Sequence, residues 1–373
     1  LTGAGCAVPD DRHGVLLVLA QSTGGIGRHV KALADGLPAH GFRVTVCAPA
    51  STIAALRLDA LDARVVAAPV GGLGPLALRE TRRVLRGEAG SVDVAHAHGL
   101  RAGADCAAFV ASLPLVVTWH NAALGGRLWR RTHGALARYV ARSSDLTLAA
   151  SDDLVADARA AGAQRVESMF VAAPALSAPR RGRADMRLDL GVGDRPLVLA
   201  VGRLHQQKRF DVLIEAAASW AGDDDLPFVV IAGDGPDRGQ LAAQIAARSA
   251  PVALLGARDD VAELLNAADV VALPSQWEAR ALVAQEALRA GVPLVTTDVG
   301  GLAALVGNAA LVVPVGDPVA LRRAIERVLT DHVERERLIA AGRSQAEGWP
   351  DEAANVTQLA QCYLDLIASG RRH

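Results

Sequence analysis

Two doubly wound α/β domains facing each other across a cleft are what this chain predicts, on three observations. Short apolar runs alternate with helix-length segments along nearly the whole sequence, and parallel neighbouring strands require such long crossovers. The alternation breaks once, at PALSAPRRGRADMRLDLGVGDRP between Pro174 and Pro196, and then restarts. A length of 373 residues with 51% hydrophobic composition supplies two cores of ordinary size. The expected organisation is a flexible N-terminus over 1–13, a first domain over 14–173, a linker over 174–196, a second domain over 197–350 and a C-terminal helix over 351–373 able to cross back to the first domain.

Taken in order, Val15 to Ala20 reads as a first buried strand, and QSTGGIGRHV supplies a glycine-rich turn and a helix running to about Leu37. Further strands are expected at Phe42–Ala48, Val65–Ala68, Val92–His96, Leu115–Thr118 and Leu146–Ala150, with a helix over Leu128–Ala141. Beyond the linker, strands fall at Leu197–Val201, Phe228–Ala232, Val252–Leu255, Val270–Leu273, Leu294–Thr296 and Leu311–Val313. The helices between and after them are Phe210–Ala217, Asp237–Ala247, Val261–Asn266, Leu282–Ala290, Pro318–Leu329 and Asp351–Ile367.

Composition excludes several classes of function. A net charge of -1, from 39 basic and 40 acidic residues, gives no global pull toward nucleic acid, and 3% aromatic residues give no stacking platform for single strands. Any attraction for a phosphate is therefore local. Cys6, Cys47, Cys106 and Cys362 are too dispersed for a disulfide framework or a zinc knuckle, which fits reduced thiols in a cytoplasmic protein. The opening segment lacks a secretory signal, and no apolar run is long enough to span a membrane. Arg130, Arg131, Arg138 and Arg142 form a basic helical face, which reads either as solvated surface or as a contact for lipid phosphate.

The segment VGRLHQQKRFDVLIEAA sets Arg203 and Lys208 just beyond a buried strand and before an amphipathic helix. Cations there either lie on solvated surface or meet a departing diphosphate, Arg as a fork and Lys as a point charge. In LPSQWEARALVAQEALRAGVPLVTTDVGG, Glu278 precedes a helix, Leu282 opens it and Glu286 lies within it. First-turn amides such as that of Leu282 suit a phosphate, and carboxylates suit hydroxyl pairs, Glu286 those of a ribose and Glu278 those of a transferred sugar. Glu286 read alone is equally a helix-surface residue. His120 ends the strand VVTWH, facing the cleft or serving as a satisfied structural histidine. His96 and His98 share a strand face, but with no third ligand in view they do not define a metal site. The run Asp223–Asp225 reads as solvated loop, and there is no Walker A sequence.

These motifs resemble the retaining glycosyltransferases of family four, akin to bacterial group 1 glycosyltransferases, with the GT-B architecture of two Rossmann-like domains. The elements GRLHQQKRFDVLIEAA, AGDGPDR, ADVVALPSQWEARALVAQEALRAGVPLVTTDVGG and LVVPVGDP carry the resemblance through the second domain, and GGIGRHV and DVAHAHG support it in the first. It implies that Arg203 and Lys208 bind the donor diphosphate, Glu278 faces the donor sugar and Glu286 the ribose. It further implies that the loop containing Gly25 and Gly27 approaches the diphosphate and acceptor, that Arg258 lies near the nucleobase and that His120 lies near the donor sugar and acceptor. Two departures stand out: Ala279 and Arg280 follow Glu278 where the family has glycine and an aromatic or aliphatic residue, and SMFVAAPAL replaces the usual asparagine-glycine turn near the hinge.

The expected reaction moves a hexosyl unit from a nucleoside-diphosphate sugar, UDP-linked in preference to GDP-linked, onto an acceptor hydroxyl with retention, needing no further cofactor and no metal. A nucleotide-sugar epimerase, a glycoside phosphorylase and a non-catalytic nucleotide-sugar-binding protein are the alternatives. The partners are donor and acceptor, with no nucleic acid. A lipid-linked acceptor would place the chain at the inner face of the membrane.

Overall fold

The computed structural model describes residues 12–22, 24–122, 127–221 and 226–370. The first half runs β1 (His13–Leu19), α1 (Gly25–Gly36), β2 (Phe42–Ala48), α2 (Ala50–Leu56), β3 (Arg64–Ala67), α3 (Pro75–Ala89), β4 (Val94–His98) and α4 (Leu100–Phe109). It continues through β5 (Leu115–Trp119), α5 (Arg127–Ser143), β6 (Leu146–Ala149), α6 (Asp152–Ala161) and β7 (Val166–Ser168). The second half runs α7 (Arg183–Asp189), β8 (Leu197–Val201), α8 (Phe210–Ala217), β9 (Phe228–Ala232), α9 (Arg238–Arg248), β10 (Val252–Gly256), α10 (Val261–Ala267) and β11 (Val270–Leu273). There follow α11 (Leu282–Ala290), β12 (Leu294–Thr297), α12 (Leu302–Val306), β13 (Ala310–Val313), α13 (Pro318–Thr330), α14 (His332–Glu347) and α15 (Glu352–Ser369).

Each half has its own all-parallel sheet, of seven strands in the order β3-β2-β1-β4-β5-β6-β7 and of six in the order β10-β9-β8-β11-β12-β13. Helices cover both faces, which is why the strands read as continuous apolar runs rather than alternating ones. Within β1, Leu16 and Val18 enter one core while Val15, Leu17 and Leu19 enter another on the opposite face. The second sheet divides likewise, with Leu197 and Leu199 on one side and Val198 and Ala200 on the other.

Strand order reverses between β1 and β4 in the first sheet and between β8 and β11 in the second. In open parallel sheets the crevice beyond the carboxyl ends at such a reversal is where ligands bind. In this chain those ends carry His98, the last residue of β4, and the loops bearing Arg203–Lys208 and Ser275–Glu278, after β8 and β11.

Three features differ from the sequence expectation. Gly25 and Gly27 are not in a loop: α1 begins at Gly25, so both lie in its first turn. Helix α7 occupies part of the 174–196 stretch, and Arg187 from it donates to the Ala267 carbonyl at 2.9 Å and to Asp269 at 3.2 Å, tying it to the second sheet. Helix α14 is an addition; charged residues interrupt its apolar positions, leaving Leu338 as its one buried large apolar side chain, so it carries no clear apolar stripe. Helix α15 packs on the first domain, where Val356, Leu359 and Tyr363 join Val15, Leu17 and Phe42 in one core. Asp223–Asp225 and the side chain of Arg130 fall outside the described residues.

Candidate active site

The second domain builds a compact ionic cluster at its strand reversal. A short turn over Gln206–Lys208 follows β8 and leads into α8, with Arg209 in the left-handed region (φ 49°) at the junction. The turn aims Lys208 Nζ at Glu278 Oε1, 2.6 Å away, and the Ser275 hydroxyl donates to that same oxygen at 2.7 Å. The Thr297 hydroxyl donates to the Ser275 carbonyl at 2.6 Å, and Gln207 donates to the Trp277 carbonyl at 2.8 Å, so the loops after β8, β11 and β12 hold one another.

Gly300 is required for this close packing. Its φ of 52° disfavours other residues, and a Cβ there would stand 2.1 Å from the Glu278 carbonyl oxygen. The same carbonyl accepts from Gly301 N–H at 2.9 Å. The VGG end of the second motif thus serves to seat the Glu278 backbone.

Arg203, two residues after β8, is exposed, and Arg258, on the loop after β10, is held by Asp260 through a 2.7 Å bond from Nε. Among the described residues, no hydrogen bond or ion pair joins Arg258 to Lys208, Glu278 or Glu286. Glu286 is buried in α11 and accepts at 3.3 Å from Arg28 Nη1 of α1, across the cleft. Burial pushes its carboxyl up from the ordinary range, opposed by the charges of Arg28 and Arg289. The first turns of α1 and α11 meet: a Cβ on Gly25 would stand 3.1 Å from Leu282 Cδ1. Gly27 instead faces its own domain, its Cβ position 2.6 Å from the Leu56 side chain.

In the first domain, histidines gather about the carboxyl ends of β4 and β5. His120 Nε2 lies 3.2 Å from His98 Nδ1, and the His29 ring stands edge-on to both. His96 is pinned at both nitrogens, to the Tyr363 hydroxyl of α15 at 2.5 Å and to the Thr118 hydroxyl at 2.7 Å. Burial holds all four below the ordinary histidine range, His29 at about 4 and His120 at about 3. His29 Nε2 and His98 Nε2 are buried with no hydrogen-bond partner. Among the described residues, no group of three or more His, Cys, Asp or Glu is arranged to hold a metal ion.

The unusual Arg280 is half-buried and turned to the first domain and the stretch that follows it. Its Nε donates to the Ala150 carbonyl of the first domain at 3.0 Å, and its guanidinium lies 4.8 Å from the centre of the Phe170 ring. Trp277 Nε1 donates to Asp153 at 2.7 Å, and Gln285 bonds both Ala173 N–H and the Val171 carbonyl at 2.9 Å. SMFVAAPAL is therefore the strap that the second domain grips. Motif spacing marked Glu278 and Glu286, and the departure from the family pattern marked Arg280, but neither marked Arg28, Ser275 or His29. Arg28 and His29 do stand inside GGIGRHV, the one signal that singled out that turn.

The fold and its paired cleft define a GT-B glycosyltransferase. The Glycosyl transferases group 1 model matches residues 183–345, and the Glycosyltransferase Family 4 model matches residues 23–169. A D-inositol 3-phosphate glycosyltransferase of Xylanimonas cellulosilytica is 30% identical over 320 residues, 74% of each chain. An alpha-D-kanosaminyltransferase of Streptomyces kanamyceticus is 33% identical over 190 residues, 49% of each chain, so the match spans about half of that relative. Anabaena HepE, crystallised with UDP and glucose, superposes with a TM-score of 0.80 at 23% identity, covering 94% of this chain and 99% of that one. The chain belongs to the group 1, family 4 glycosyltransferases.

Proposed function

We propose that this chain transfers a hexosyl unit from a nucleoside-diphosphate sugar, a UDP-sugar in preference to a GDP-sugar, to an acceptor hydroxyl with retention at the anomeric carbon. The observation that carries this is the Lys208–Glu278 pair, 2.6 Å apart at the strand reversal of the second sheet, with buried Glu286 one helix away. Its cations suit a diphosphate and its carboxylates suit sugar and ribose hydroxyls. UDP in the HepE structure supports the choice of base.

In this reading the bond from the anomeric carbon to the diphosphate oxygen breaks while the acceptor oxygen bonds that carbon on the same face. The acceptor proton passes to the departing diphosphate. Arg203, Lys208 and the first-turn amides of α11 meet the negative charge as it grows, which lowers the barrier more than it tightens substrate binding. Glu278, held by Ser275 and Lys208, orients the sugar without forming an adduct, and His120 meets the sugar or acceptor as a neutral imidazole. Residues 197–350 form the donor half and 14–173 the acceptor half.

A specific surface favours an acceptor presented on a membrane. Leu73 and Leu76 are 90% and 80% exposed, and Arg79, Arg82, Arg83 and Arg86 follow on the exposed face of α3. Leucines flanked by arginines suit an anionic bilayer. No described helix is long and apolar enough to cross one. Cosedimentation with anionic but not zwitterionic vesicles, lost on Leu73→Ser with Leu76→Ser, is the expected result; equal recovery without vesicles removes this reading.

The central test is calorimetric titration with UDP, GDP and ADP, followed by donor turnover. Preference for one diphosphate, lost in Lys208→Ala, supports transfer. Interconversion of the sugar nucleotide without an acceptor points instead to an epimerase, phosphate-dependent turnover to a phosphorylase, and binding without turnover to a non-catalytic protein.

A further inference from the structure

We propose that Arg28 is a third diphosphate-binding cation, supplied by the opposite domain, and that Glu286 holds it in reserve until a ribose takes its place. This rests on the donor reading above.

The two partners differ in freedom. The Glu286 side chain is 4% exposed and fixed within α11, whereas that of Arg28 is 43% exposed on α1. Their 3.3 Å bond is longer than the 2.6 Å Lys208–Glu278 bond in the same cleft. A buried carboxylate needs a cation or hydroxyl donors around it, and burial already pushes Glu286 toward its protonated form. Ribose hydroxyls supply two donors to that carboxylate and so replace what Arg28 provides.

The displaced guanidinium has a second destination close by. The first turn of α1, with Gly25, touches the first turn of α11 at Leu282, and the amides of that α11 turn are among those left without intrahelical partners. Arg28 lies one position beyond Gly27 in the same α1 turn, beside the place where a diphosphate would meet those amides. A planar fork matches two phosphate oxygens, which an ammonium does not. Ribose binding to the second domain would thereby release a cation of the first domain onto the leaving group. A bare nucleoside would break the Arg28–Glu286 bond with no phosphate in return, and a nucleoside diphosphate would recover it.

The test compares UDP with uridine, uridine being measured by displacement of UDP, on the full chain carrying Arg28→Ala and, as a length-preserving control, Arg28→Gln. If GDP is the tighter diphosphate, GDP and guanosine are used. The expected result is a loss of about tenfold or more in diphosphate affinity with nucleoside affinity unchanged or improved. Parallel loss of both ligands would overturn the proposal and leave Arg28 as an interdomain latch. Unchanged affinity for both overturns it too. A wild-type chain that binds none of UDP, GDP and ADP removes the donor reading itself and this inference with it, whereas normal UDP binding sensitive to Lys208→Ala but not to Arg28 removes this inference alone.

Discussion

The two lips of the cleft solve the problem of polar groups near a buried site in opposite ways. The second domain pairs opposite groups, Lys208 with Glu278 at 2.6 Å inside a lattice of loop hydrogen bonds. The first domain keeps its histidines neutral: burial discharges His29, His96, His98 and His120 rather than pairing them with carboxylates. Charge that survives burial must be held by partners, and charge that lacks partners is given up. The paired cluster therefore suits an anion, and the histidine cluster, apart from the neighbouring Arg28, suits a neutral hydroxyl compound.

Removing a charge from the paired side is the most damaging way to break this contrast. Lys208→Ala takes a cation from the place where leaving-group charge would build and leaves Glu278 with Ser275 alone. Donor turnover is expected to fall by about 100-fold to 1,000-fold, with weaker UDP binding. If His120 meets the sugar and not the diphosphate, as proposed, His120→Ala should lower turnover while leaving UDP affinity within about twofold. Equal loss of UDP affinity in the two variants would dissolve the division of labour.

Acid should break the neutral side first. A histidine whose folded value lies below its unfolded one contributes nothing above that unfolded value. Below it, the unfolded chain binds protons that the folded chain refuses, so stability falls with pH. His29 passes from 6.5 to about 4 on folding, which makes its share on the order of 3 kcal/mol by pH 4. Thermal melts of wild type should fall steeply between pH 7 and pH 4. His29→Met should flatten that slope, and an unchanged slope would mean that the cluster does not govern acid stability.

The strap between the lips offers a smaller effect. Arg280→Ala removes the bond to the Ala150 carbonyl and the stacking on Phe170, worth about 1–2 kcal/mol together. If that contact aligns the domains, the apparent KM for donor should rise more than kcat falls. Arg280→Leu, which retains apolar packing without the hydrogen bond, should recover little of it.

How much of this was open to inspection in the sequence follows from the range of the interactions. The strands were legible because burial on both faces writes them as short apolar runs: Leu197–Val201, Phe228–Ala232 and Val270–Leu273 fall where their composition puts them. Glu278 and Glu286 were legible because one short segment carries both. Helix α14 was not, since it packs on α11 through Gly342 and Leu288 without an apolar stripe of its own. Nor were the partners of Arg28 and Arg280, which lie 258 and 130 residues away along the chain. Such pairings are set by how two separately legible domains meet, and local pattern does not encode that.

Glu286 provides the finest test, because it belongs to the paired lip yet behaves in part like the neutral one. The side chain of its partner Arg28 is 43% exposed, so burial outweighs pairing and the carboxyl is pushed up from 4.5. Glu286→Gln keeps the shape and removes the buried charge, so the unliganded protein should gain up to about 1 kcal/mol, a rise of roughly 2–4 °C in Tm for a domain of this size. The pH dependence has a fixed sign. Above 4.5 the unfolded chain releases a proton that the folded chain retains, so the wild-type residue costs stability as pH rises, and below 4.5 the cost disappears. The variant's advantage should therefore be present at pH 7 and vanish near pH 4, while the histidine contribution, common to both proteins, cancels in the difference. UDP affinity should fall in the same variant. A carboxylate kept at a cost to the empty fold and required only when a nucleotide is present is what a ribose-binding residue looks like. A variant that loses both stability and binding would mark Glu286 as part of the scaffold instead.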